Sequence, residues 1–327
     1  MNPLAGIIAE EIRKDGPIPF RRFMELALYH PEFGYYRRPA DPFGAGGDFF
    51  TNSQLQPVFG RLIAQQIETW RDELGRSEEF TVVELGAGRG ETGAEIRRLL
   101  PGIRYTEVDI GKGEMPEDFR GVVFSNEFFD ALPVHSVERR GNGWIEHYVD
   151  AAGQGFRWSG GSPSCAAIEE YLDRYSPDLA DNQKIEVNLD ALDLLENVSR
   201  ALRRGYILTI DYGYLANEIT GGRRFPAGSL MSYERHRAAD DVLANPGERD
   251  ITAHVNFTAL IERGRELGFA PSALRTQAEF LLSIGERDNF DSALAADSEP
   301  KQLGLRMQLK TLLFGLGESF RVLVQSR

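Results

Sequence analysis

The chain has 327 residues, 42% of them hydrophobic and 27% charged, and carries a formal net charge of −13. That length allows one large domain or two of ordinary size, with the composition of a soluble globular protein. The charge argues against a nucleic-acid partner held by its phosphates, and the single cysteine, Cys165, excludes an internal disulfide and a cysteine-cluster metal site.

The N-terminus, MNPLAGIIAEEIRKDGPIPF, lacks a signal-peptide core, and Glu10, Glu11 and Asp15 speak against an organelle transit peptide, so cytoplasm is the expected location. Leu4, Ile7, Ile8 and Ile12 recur at helical spacing and predict a helix over 4–14, stopped by Gly16-Pro17. Pro19 opens a second helix with Phe20, Phe23, Met24, Ala27 and Leu28 on one face. A long loop rich in Gly, Pro and aromatics (30–50) follows; loops of this length in a compact domain are usually functional or disordered, and the aromatics favour order. Ser53 begins a third helix carrying Leu55, Val58, Phe59, Leu62, Ile63 and Gln66. Residues 1–77 therefore read as a helical cap with a covering loop.

From Phe80 the pattern changes to strands alternating with helices. FTVVEL (80–85), IRYTEVD (103–109) and GVVFSNE (121–127) read as strands, and VHSVERRGNGWIEHYVD (134–150) as a hairpin turned at Gly141-Asn142-Gly143. Residues 151–183 and 212–255 read as loop-rich insertions. Ile185–Arg204 is predicted as a helix, GYILTID (205–211) as a buried strand, and NFTALIERGRELGF as an amphipathic helix. Helical segments at 277–284 and 300–313 precede a C-terminal strand, ESFRVLVQS. The alternation predicts an α/β domain over 78–327 with a mostly parallel sheet covered on both faces. His30, His135, His147, His236 and His254 have no short metal-ligand spacing, and no apolar run is long enough to span a bilayer.

The most informative stretch is VVELGAGRG (82–90). A buried strand ends in Glu84, glycines follow at 86, 88 and 90, and a helix begins. Such a turn lets a ligand approach the backbone while the helix directs free N–H groups at it. The spacing E-x-G-x-G-x-G is that of an S-adenosylmethionine turn rather than the dinucleotide pattern, whose third glycine position holds Glu91. Asp109, about 25 residues on, stands where an acid commonly binds the ribose of an adenosine ligand. The segment Asn126-Glu127-Phe128-Phe129-Asp130 brings two acids and two aromatics to the carboxyl edge of the sheet, where they suit a cationic or amide-like group.

ELGAGRG and NEFFDALPV, together with GDFFTNSQLQPVFGRLIA (47–64), DYGY (211–214), RDITAHVNFTAL (249–260) and GLGESFRVL (315–323), resemble the MidA family. These are S-adenosylmethionine-dependent methyltransferases and include a mitochondrial complex I assembly factor that methylates an arginine. The resemblance runs from about residue 16 to the end and implies a Rossmann-like class I methyltransferase fold. It implies that Glu84, Gly86, Gly88 and Gly90 hold the methionine end of the cofactor S-adenosyl-L-methionine, with Asp109 on the ribose. Gly47, Asp48 and Thr51 would close over it, while Asn126, Glu127 and Asp130 would line the acceptor side as the catalytic set. The implied partner is an arginine-bearing protein substrate. His254 and Asn256 fall in a family motif without an assigned role, and the oligomeric state is left open.

One departure stands out. Between Asp109 and the NEFFDALP strand lie only residues 110–120, too short for the helix and strand that usually follow. One helix–strand unit is therefore expected to be missing, with the second strand at an edge. The alternative reading is a catalytically weakened methyltransferase fold acting as an assembly or scaffolding factor. A nicotinamide oxidoreductase fails on the glycine spacing.

Overall fold

The computed structural model describes residues 2–38, 55–153, 155–176, 178–219, 225–234, 237–239 and 241–327. The chain divides into two compact units, each discontinuous in sequence. One comprises Met1–Phe50, Asp130–Asp193 and Tyr214–Ala259; the other comprises Thr51–Phe129, Leu194–Gly213 and Leu260–Arg327.

The second unit is built on strands β1 (Phe80–Leu85), β2 (Arg104–Val108), β3 (Phe119–Asn126), β4 (Leu202–Tyr214) and β5 (Phe320–Ser326). Their spatial order is β5-β4-β3-β1-β2. β1 pairs parallel with β2 and β3, and β3 with β4, while β5 runs antiparallel to β4. All six residues of β1 are buried, as a central strand requires. Phe80, Val82, Val122, Phe124, Leu208, Ile210, Phe320 and Val322 alternate along their strands onto one face. That face packs on helix α1 (Val58–Glu73), whose Val58, Phe59, Leu62, Ile63, Ile67 and Trp70 recur at helical spacing. Each such side chain, fully buried, contributes roughly 1.5–3 kcal/mol of transfer free energy. The expected start of this helix at Ser53 lies outside the described residues.

Among the described residues β2 ends the sheet, and residues 110–118 form no strand or helix beyond the isolated Asp109–Lys112 bridge. The missing unit inferred from segment length is thus a feature of the structure. β4 and β5 are followed on the far side by short antiparallel pairings at 270–271 and 275–276, so the parallel part is confined to the centre.

In the first unit, helices Pro3–Asp15 and Phe20–Tyr29 pack with strands of a wholly antiparallel sheet. The hairpin is His135–Arg140 with Gly143–Ala152, joined through Gly141 and Asn142. Several expectations differ here. The stretch whose periodicity predicts a helix over 185–204 begins as strand Lys184–Val187, paired with the hairpin. It becomes helix only at Leu189–Ala201, where Asn188 Oδ1 accepts the Ala191 N–H at 2.9 Å. The region 151–183 contains a strand (Gly155–Gly161) and a helix (Ala166–Tyr175). The region 212–255 contains strands Met231–Glu234, Arg237–Ala239 and Asp250–Thr252. The division at residue 77 also differs, because α1 belongs to the core beneath β1 whereas the two helices before it pack in the other unit.

Candidate active site

The carboxyl ends of β1 and β2 meet at the glycine turn. Gly86, Gly88 and Gly90 all lie in the left-handed region, at φ +67, +52 and +72. Gly90 is the N-cap of helix α2 (Glu91–Leu99), so the free N–H groups of its first turn open here. The turn is stitched to the end of β2: Gly86 N–H donates to Val108 O at 2.9 Å, and Gly88 N–H to Asp109 Oδ2 at 2.8 Å. The other oxygen of Asp109 accepts the Ile110 N–H at 2.7 Å, and the backbones of Asp109 and Lys112 exchange two hydrogen bonds. A tight reversal after Asp109 thereby replaces a longer crossover.

Glu84 is 5% exposed. Burial pushes its carboxyl up from the usual range to about 7, against the hydrogen bond that Tyr105 Oη donates to it at 2.7 Å. Glu107, aligned with Glu84 across β1 and β2, is also pushed up by burial, but Lys112 and Arg97 outweigh this and hold it below the usual carboxylate range. Gly90 leaves room for that carboxylate, which a Cβ there would meet at 3.2 Å. No local sequence motif marks Tyr105 or Glu107. Their relevance depends on the register that sets Val82 beside Tyr105 and Glu84 beside Glu107.

At the end of β3, Asn126 Nδ2 donates to Glu127 Oε1 at 3.1 Å, and Glu127 takes a left-handed φ of +52. Phe128 lies against the glycine turn: a Cβ on Gly86 would come within 2.5 Å of its Cδ2. Gly86 is thus required by protein packing as well as by backbone conformation. Asp130 belongs to the first unit, where it is 7% exposed and its backbone oxygen accepts the Ala253 N–H at 2.9 Å. It sits near Tyr36, whose hydroxyl is raised well above its ordinary range by burial and then by Asp250, Tyr29, Asp130 and Tyr35. Gly47, Asp48 and Thr51 lie outside the described residues. Asn256 has a structural part: its Oδ1 accepts the Ala259 N–H at the start of the helix Phe257–Glu266, and its amide reaches Ser176 Oγ at 3.2 Å. The His254 ring packs on Phe225 with centroids 4.8 Å apart.

These groups suit a ligand that combines a cation with an adenosine. A desolvated carboxyl near neutrality, a left-handed glycine turn opening a helix, and an acid at the next strand end lie together. A family model described as putative S-adenosyl-L-methionine-dependent methyltransferase matches residues 103–273. The chain belongs to this family. A Burkholderia thailandensis protein solved with S-adenosyl-homocysteine is 31% identical, covering 99% of this chain and 92% of its own, with a TM-score of 0.87. The Caenorhabditis elegans protein arginine methyltransferase NDUFAF7 homolog, mitochondrial, is 25% identical over 98% of this chain and 85% of its own length. The human protein arginine methyltransferase NDUFAF7, mitochondrial, is 27% identical over 94% and 78% respectively. The methyltransferase fold, the enzyme class and the cofactor, S-adenosylmethionine, follow from these matches. When bound, the cofactor supplies an activated methyl group. Among the described residues, Glu84, Gly86, Gly88, Gly90 and Asp109 are those whose chemistry fits it.

Proposed function

We propose that the protein transfers a methyl group from S-adenosylmethionine to an arginine side chain of a protein substrate. The observation that carries this reading is the placing of Glu127: a carboxylate at the end of β3, tied to Asn126, beside a phenylalanine that rests on the glycine turn. The names of the curated relatives support the acceptor class, and the net charge of −13 is compatible with a cationic substrate. In this reading Glu84 and the glycine turn hold the amino-acid end of the donor, and Asp109 its ribose.

A guanidinium is protonated at physiological pH, so catalysis rests on orienting it and excluding water. Glu127 would hold it by a charge-assisted hydrogen bond and take up the proton that leaves the guanidinium as the new N–C bond forms and the donor's S–methyl bond breaks, the bonding pair staying on the sulfur of S-adenosylhomocysteine. Asn126 fixes the Glu127 carboxylate. The test is incubation of the purified chain with methyl-labelled S-adenosylmethionine and cell-extract proteins, followed by hydrolysis of the labelled band. Recovery of N-methylarginine is the expected result. Label on another residue overturns the acceptor, and retained donor binding with no protein label favours the scaffolding alternative.

A further inference from the structure

The end of β3 is held by a group from β4. Ladder pairing runs as far as Asn126 opposite Ile210, and Glu127 N–H gives the last such bond, to Ile210 O at 3.0 Å. Glu127 then turns into the left-handed region at φ +52, a conformation unfavourable for a residue with a Cβ. The next two N–H groups leave the ladder and need another acceptor. One side chain meets both: Asp211 Oδ2 accepts from Phe128 N–H at 3.2 Å and from Phe129 N–H at 2.9 Å. Its other oxygen accepts the Tyr212 N–H at 2.9 Å, and the residue is 0% exposed. A buried acid supplied with several backbone donors can hold such a turn, whereas an amide in its place would set its NH2 against one of those donors. The turn aims Phe128 at Gly86, where there is no room for a Cβ. Asp211, Phe128 and the glycine turn therefore form one chain of contacts.

We propose that Asp211 is a positioning residue for the methyltransferase site, its carboxylate fixing the Glu127–Phe129 turn so that Phe128 braces the cofactor's glycine turn. This rests on the assignment of that turn to S-adenosylmethionine and is independent of the acceptor's identity. The experiment uses the full chain and titrates S-adenosylhomocysteine calorimetrically, well below each variant's unfolding temperature, with hydrogen exchange followed at Phe128 and Phe129. Asp211→Ala is expected to weaken binding about tenfold and to speed exchange of both amides, and Phe128→Ala to weaken binding by a similar factor. The double variant should bind no more weakly than the worse single one, because both substitutions remove the same brace. Asp211→Asn, which keeps one acceptor oxygen, should recover part of the affinity.

A lowered unfolding temperature with unchanged affinity would reduce Asp211 to a structural cap and overturn the proposal, as would losses that multiply in the double variant. If Asp211→Ala does not fold, Asp211→Asn combined with Phe128→Ala decides on the same criterion. Gly88→Val separates the two levels. If that variant binds normally, the site assignment fails. If it loses binding while the Asp211 variants do not, only the positioning role fails.

Discussion

Tyr105 Oη donates to Glu84 Oε2 at 2.7 Å, and the carboxyl it holds titrates near neutrality because burial outweighs that bond. A cation bound beside Glu84 favours the carboxylate and lowers its pKa, so binding releases a proton. S-adenosylmethionine affinity should therefore rise as pH increases through about 7. Between pH 8 and pH 6 it should weaken about tenfold, following the deprotonated fraction. Calorimetry in two buffers of different ionisation enthalpy measures the released proton directly, and a pH-independent Kd would remove the donor's cation from Glu84.

The same shift governs stability without ligand. The folded carboxyl titrates above its unfolded value of 4.5. Its contribution is fully present below that value and is lost as pH rises through about 7. Above that pH the buried carboxylate costs about 3 kcal/mol relative to its neutral form. Glu84→Gln keeps an acceptor for Tyr105 and has no charge to desolvate. Its unfolding temperature should exceed that of the parent by a margin that widens from pH 5 to pH 8, while donor binding falls. A margin independent of pH would place the titrating group elsewhere.

Gly88 stands at φ +52 and gives its N–H to Asp109. A valine must carry a branched Cβ into the left-handed region, at a cost on the order of 1–2 kcal/mol, and move the N–H that ties the turn to β2. Gly88→Val should abolish S-adenosylhomocysteine binding in calorimetry while denaturant unfolding stays cooperative.

Glu127→Gln retains the shape of the acceptor group and removes its charge. A charge-assisted hydrogen bond lost from a desolvated site is worth about 1.5–3 kcal/mol, roughly ten- to a hundredfold in rate. Turnover should fall by that factor with donor affinity nearly unchanged. A variant that instead loses donor binding and keeps turnover at saturating donor would move Glu127 to the cofactor side.

What could be read from the sequence follows how locally each feature is determined. FTVVEL is buried along its whole length and ends at a glycine turn, and the strand observed is Phe80–Leu85. The Gly141-Asn142 turn set the hairpin, and the short 110–120 segment placed β2 at the edge. Lys184–Val187 reads as helix in the sequence because its apolar residues continue smoothly into the periodicity of Leu189–Ala201, and the Asn188 cap that parts them is a single residue. Strand Gly155–Gly161 is largely exposed, and only Phe156 and Trp158 alternate in it before Ser159 and two glycines, too short an apolar pattern to announce a strand. Glu84, the three glycines and Asp109, which the structure brings together, can be grouped from the sequence because they occupy one local strand–turn–helix pattern and the next strand end. Tyr105 depends on sheet register and Asp211 on the neighbouring strand, relations that no short window of sequence carries.

The most direct test of the account is a crystal structure of the chain with S-adenosylhomocysteine. Its amino-acid end should lie by Glu84 and the Gly86–Gly90 turn and its ribose against the Asp109 carboxylate, with Phe128 still on Gly86. Ligand density away from the carboxyl ends of β1 and β2, or a ribose out of reach of Asp109, would contradict the assignment on which the rest depends.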